Sequence, residues 1–127
     1  MNGGWLVEAR ASGPALVLDE PLSFWGGLDP RTGAIVDATH PQRGVIVGGR
    51  MLVMPSGRGS SSSATVLAEA IRLGTGPVGI VLGEPDHIIA VGALVASELY
   101  GTTIPVFVAS ADGYAAIRDG DQVSLMP

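Results

Sequence analysis

Nineteen glycines and nine prolines interrupt this 127-residue chain, and they fall between short apolar runs, so only brief strands and modest helices fit between them. Trp5 to Ala9 and Ala15 to Leu18 read as two strands separated by the turn signal Ser12-Gly13-Pro14. Asp19 to Gly33 is rich in turn formers, and Ala34 to Asp37 and Gly44 to Val47 are further strand candidates. Arg50 to Met54, closed by Pro55, is the best candidate for a buried strand. In Ala64 to Leu73 the apolar positions Val66, Leu67, Ala70, Ile71 and Leu73 have helical spacing, with a serine available to cap the start and Gly74 to stop the end. Val78 to Leu82 reads as a strand, Ile88 to Tyr100 as a helix with a polar break, and Ile104 to Val108 as a strand. A weak helix over Asp112 to Arg118 and a strand over Gln122 to Met126 complete the chain. The spacing therefore predicts one α/β domain over residues 1–127, strand-rich in its first half and alternating strand and helix in its second. Alternation of that kind implies some parallel sheet with helices against it, and the early strands are expected in a separate barrel-like layer.

Composition narrows what such a domain can do. Apolar residues make up 46% and charged residues 15%, against a charged share of about 25% in ordinary globular domains. A large surface covered by a partner accounts for that, as does a compact domain biased toward Ala, Gly and Val. The net charge is −5, with seven arginines and no lysine, so a basic stripe for nucleic acid is missing. The chain has no cysteine, which removes disulfides, thiolate zinc sites and a cluster ligated by its own thiolates. Met1 to Glu8 lacks the pattern of a secretory signal, and the apolar runs are too short for a membrane span, so a cytoplasmic location is expected.

The most informative segment is Pro55-Ser56-Gly57-Arg58-Gly59-Ser60-Ser61-Ser62-Ser63. It leaves a strand, turns on two glycines, carries one cation and enters a helix through hydroxyls. Amides at a helix N-terminus favour an anion, and Arg58 adds a fork for a carboxylate or phosphate. A serine alkoxide held there would be stabilised by the same amides, which suits proton transfer. The plainer reading is a loop whose serine caps a helix. The pattern is neither a Walker loop nor G-x-S-x-G, and no histidine is paired with it. A second cluster, Pro21 to Pro30, places Phe24 and Trp25 before Gly26 and Gly27. Its aromatics either plug the core or line an interface or active-site loop. His40 and His87 have no ligand-spaced partners, so no metal site is expected, and Glu84-Pro85-Asp86 reads as a solvated turn after a strand.

Gly13 to Leu18, the Ser-Phe-Trp-Gly-Gly stretch within Pro21 to Pro30, Pro55 to Ser63, Glu84-Pro85-Asp86 and Gly92-Ala93 together resemble the small subunit of the aconitase X family, across essentially the whole chain. The resemblance implies the swivelling β/β/α fold of the aconitase C-terminal domain, and a hydro-lyase subunit inactive without a large aconitase-X-type subunit. The iron–sulfur cluster would be held by that large subunit, with none bound by this chain. In aconitase-like swivelling domains a Gly-Ser-Ser-Arg turn delivers the serine base. Gly59-Ser60-Ser61 matches its first three positions, which makes Ser60 the first choice for the base and Ser61 the reserve. Ser62 stands where that turn has arginine, and Arg58 supplies the cation from upstream; Arg58, Gly59 and Ser62 are the expected contacts to a small carboxylate substrate. The family's two activities are dehydration of cis-3-hydroxy-L-proline and of mevalonate 5-phosphate. Trp25 and the Arg58-Gly59-Ser60-Ser61 loop look more like the bacterial, hydroxyproline form. A non-catalytic binding module for a small anionic metabolite, or a structural partner whose serine loop only caps a helix, would use the same residues.

Overall fold

The computed structural model describes residues 1–127. Its frame is a curled six-stranded sheet in the order β1-β7-β6-β5-β2-β8, built from β1 (Gly3–Val7), β2 (Ala11–Val17), β5 (Met51–Met54), β6 (Gly79–Leu82), β7 (Val106–Ala109) and β8 (Gln122–Leu125). The four central strands β2, β5, β6 and β7 run parallel, with Met51 opposite both Ala15 and Gly79, while β1 and β8 close the edges antiparallel. A two-stranded ribbon, β3 (Leu28–Asp29) with β4 (Ala34–Ile35), lies in the excursion between β2 and β5. Helix α2 (Ser62–Leu73) links β5 to β6, α3 (His87–Tyr100) links β6 to β7, and the short α4 (Ala111–Ala116) precedes β8. The four-residue segment α1 (Phe24–Gly27) is helical in name only, because Trp25 (ψ 118°) and Gly26 (φ 76°) leave helical geometry inside it.

Each parallel crossover steps to the next strand in the same direction, so α2 and α3 pack side by side on one face. With β8 and the α4 region covering the other face, β5 and β6 are buried on both sides, which is why they read as continuous apolar runs rather than as alternation. Leu52, Met54, Ile80 and Leu82 join Leu67, Ile71 and Ile89 in the helix-side core. Met51, Val53, Val81 and Phe107 join Val123 and Leu125 in a smaller core on the other face. Burying a residue such as Leu67 or Ile80 contributes about 1.5–3 kcal/mol each. No helix is long and apolar enough to cross a membrane.

Several expectations from the sequence need correction. The early strands do not form a separate layer: β1 and β2 join the same sheet as β5 to β8. Ser12-Gly13-Pro14 is not a turn but the middle of β2, which pairs with β8 through Pro14 and with β5 from Ala15 onward. Proline is tolerated there because its missing N–H falls where the strand changes partners. The strand expected over Ala34 to Asp37 is only Ala34–Ile35. Gly44 to Val47 makes one isolated bridge, Ile46 with Ala34, since Gly44 (φ 93°) turns the chain just before it.

Candidate functional site

The loops after β2, β5 and β6 meet at the C-terminal edge of the parallel strands and are knitted by their own backbones. Leu22 bridges Gly57 in parallel, and Arg58 N donates to the Leu22 carbonyl at 3.3 Å. Gly83 and Glu84 amides both donate to the Pro55 carbonyl, at 2.9 and 3.1 Å. Both clusters singled out in the sequence, Pro21 to Pro30 and Pro55 to Ser63, thus lie against each other.

The four serines of the run divide sharply. Ser60, Ser61 and Ser62 are exposed, whereas Ser63 is 2% exposed. The Trp25 amide donates to Ser63 Oγ at 3.2 Å, Ser23 Oγ donates to the Trp25 carbonyl at 3.0 Å, and the two serine oxygens are 3.3 Å apart. A hydroxyl has one hydrogen. Ser23 gives its hydrogen to Trp25, so the remaining bond runs from Ser63 to Ser23. The result is a closed ring that satisfies both backbone groups of Trp25 with side chains. Gly59 makes room for it: its φ is +108°, and a Cβ there would sit 2.5 Å from Ser23 Oγ and 3.0 Å from Ser63 Oγ. The adjacent aromatics take opposite roles, with Phe24 1% exposed in the core and Trp25 62% exposed beside the serines. Gly26 provides the positive φ for that turn and Gly27 is buried against Leu22.

The start of α2 is left open. Ser61 stands at the N-cap position with helical backbone angles (φ −57°, ψ −23°) and makes no side-chain capping bond, contrary to the expectation of a serine cap. A capping side chain normally reaches back from an extended backbone. The amides of Ser63 and Ala64 donate to the carbonyls of Ser60 and Ser61, while those of Ser60, Ser61 and Ser62 have no protein acceptor. Arg58, exposed beside them, belongs to neither ion pair of the chain. The Asp37 carboxyl lies below its usual range chiefly because the Thr39 amide and then the Thr39 hydroxyl bond to it.

Other polar residues serve the frame. His40 is buried with both ring nitrogens used: Nδ1 accepts from the Gln42 amide, so Nε2 carries the hydrogen toward the Glu20 carbonyl at 3.1 Å. His87 is exposed. Asp86, read in the sequence as part of a solvated turn, caps α3 by accepting from the Ile89 amide at 3.0 Å, and its carboxylate packs on Gly57. An aspartate directly before a helical apolar pattern is a capping signal that could have assigned it. For Ser23, forty residues from Ser63, no local signal exists. Leu22, Phe24, Gly57, Arg58, Gly59 and Asp86 line a crevice of about 50 Å³, far below the roughly 300 Å³ at which small-ligand pockets begin. No group of three or more His, Asp or Glu converges, and there is no cysteine.

A curled α/β sheet thus carries exposed hydroxyls and open amides on a loop at its C-terminal edge. The family model of the aconitase X swivel domain matches residues 1–127, and the chain belongs to that family. It is 48% identical over 101 residues to a cis-3-hydroxy-L-proline dehydratase of Pseudomonas aeruginosa, covering 80% of this chain and 17% of that protein. A Hypocrea jecorina protein of the same name shares 40% identity, and the chain spans 18% of its length. The small subunit of a phosphomevalonate dehydratase of Methanopyrus kandleri is 39% identical over 122 residues, 95% of this chain and 86% of that subunit. The crystal structure of Thermococcus kodakaraensis aconitase X in its holo-form superposes with a TM-score of 0.85 at 32% identity, covering 96% of this chain and 87% of that one. The relatives are thus dehydratases, or subunits of them, and the fold is that of the aconitase X swivel domain.

Proposed function

We propose that this chain is a single swivelling domain acting as the small subunit of an aconitase-X-type hydro-lyase, inactive until a large subunit completes the site. The observation that carries the reading is the open N-terminus of α2: exposed Ser60, Ser61 and Ser62, three amides without acceptors, and the unpaired Arg58 beside them. Ser60 is the base, with Ser61 in reserve. Its alkoxide is stabilised by the neighbouring amides and takes the proton on the carbon next to the substrate carboxylate. Arg58 forks that carboxylate, and Gly59 and Ser62 shape the turn that receives it. The electron pair left by the proton forms the carbon–carbon double bond as the bond to the β-hydroxyl breaks, releasing hydroxide that becomes water on protonation. No ligand set in this chain fits an iron–sulfur cluster. The cluster that the family implies is assigned to the large subunit, while proton removal and carboxylate binding fall to residues of this chain.

The substrate we favour is cis-3-hydroxy-L-proline, supported by the 48% identity to the Pseudomonas aeruginosa dehydratase. Mevalonate 5-phosphate is the second reading, favoured by the near-complete match to a separate small subunit of phosphomevalonate dehydratase. Both molecules carry a hydroxyl β to a carboxylate, so the same base and fork serve either. The test is turnover of each substrate by the chain assembled anaerobically with its large subunit. Ser60→Ala should lower kcat about 10²–10⁴-fold while the complex still forms. Full activity in Ser60→Ala would remove that serine as base, and wild-type inertness toward both substrates would remove the hydro-lyase reading.

A further inference from the structure

Apolar surface flanks the exposed serines on both sides. On one side stands Trp25, 62% exposed and fixed at its backbone by the Ser23–Ser63 ring. On the other runs an open groove between α2 and α3, lined by Ser61, Ala64, Ala68, Val91, Val95 and Leu99. Ser61 belongs to both the serine loop and the groove, so the surface is continuous from the base to the far end of α3. Helix α3 buries Ile89, Ala93 and Ala96 yet shows solvent Val91 at 50%, Leu94 at 48% and Leu99 at 68%. A helix apolar on its outer face as well as its inner one is built to be covered. The acid bordering the groove, Glu69, is already paired with Arg72.

We infer that Trp25 and the Val91–Leu99 face of α3 form one docking surface, and that its occupant is the large subunit that completes the site. This rests on the reading under Proposed function. The crevice at Arg58, Gly59 and Ser63 holds no more than a water or two, and Ser60 to Ser62 are exposed, so the remaining walls must come from a body lying over them. Anything large enough to do so also overlies the groove that begins at Ser61. Such a body exists in the fused relatives, where this domain accounts for 17% and 18% of the chain and the rest is tethered to it. A second copy of this chain would bring only the same serines and arginine, leaving the site as incomplete as before. The large subunit seals on Trp25 on one flank and on Val91, Leu94 and Leu99 on the other, so that water is excluded around the base.

The experiment is titration of the full chain with its large subunit by calorimetry. Val91→Glu, Leu99→Glu and Trp25→Ala each weaken the complex at least about tenfold. Ile46→Glu, at a side chain 43% exposed but beside Gly48 and Thr75 at the other end of α2, binds as the wild type does. All three side chains are exposed, and matching circular dichroism and melting of the isolated variants confirm that they fold. Wild-type affinity in Val91→Glu and Leu99→Glu, with wild-type turnover intact, overturns the surface and leaves the function standing. Loss of self-association with unchanged large-subunit binding overturns the occupant in favour of a second copy. If the wild-type chain binds no large subunit and turns over neither substrate, the subunit reading falls and this inference with it.

Discussion

Helices α2 and α3 are built alike except where they begin. Each follows a buried parallel strand, each starts at the same edge of the sheet, and each ends on a left-handed glycine, Gly74 (φ 78°) and Gly101 (φ 71°). Asp86 precedes α3 with an extended backbone (φ −140°, ψ 110°), which swings its carboxylate over the Ile89 amide. Ser61 precedes α2 already wound into helical angles, and its hydroxyl reaches no amide. One terminus is closed by a carboxylate of the chain itself, and the other keeps its positive end open beside an unpaired arginine. A missing cap costs about 1 kcal/mol. A fold that caps one helix and leaves its twin bare concentrates that local violation where a site is expected.

The largest effect should come from Gly59, the residue that lets the open terminus and the Trp25 turn coexist. Gly59→Ala forces an L side chain into φ +108° and drives a Cβ into the Ser23–Ser63 ring. The expected loss is about 2–4 kcal/mol, combining backbone strain with the loss of buried hydrogen bonds. Urea denaturation measures it, and a loss under about 1 kcal/mol would mean that the ring is not what holds the two loops together.

Next in size is the closed terminus. Asp86→Ala should cost about 1 kcal/mol, with Asp86→Asn recovering most of it, because either side-chain oxygen can accept from Ile89. Ser61→Ala at the matching position of α2 should change stability by less than about 0.5 kcal/mol, since no capping bond is lost. Equal losses at the two positions in thermal unfolding would erase the contrast between the helices.

Much of this was legible in the sequence, and the parts that were not share a cause. Met51–Met54, Gly79–Leu82 and the helices ending at Gly74 and Tyr100 follow from apolar runs and helical spacing, which are local signals. The placement of β1, β2 and β8 in one sheet depends on pairing between distant segments; Val17 bonds Asp119 across 102 residues, and nothing near either residue announces it. The serine loop stood out as a candidate site because its composition is unusual. The division within it was also written in the sequence: Ser63 lies four residues before Leu67 and eight before Ile71, on the buried face of α2, while Ser60 to Ser62 precede that face. The opposite fates of Phe24 and Trp25 had no such signal, because they depend on a ring closed by serines from two loops.

The smallest effect on stability is also the one that separates a helix end that merely lacks a cap from one kept open for a ligand. Ser61→Asp places a carboxylate at the bare end of α2, where the helix dipole favours negative charge. The αR backbone at Ser61 denies it the geometry of a true cap, so the gain is electrostatic alone, about 0.3–1 kcal/mol. If the open amides and Arg58 receive a substrate carboxylate, the new charge competes for the same donors. The assembled enzyme then shows a raised KM together with a slightly raised melting temperature in the isolated subunit. A variant that is more stable and binds substrate as before would show that the bare terminus is an accident of the loop, and the contrast with α3 would carry no function.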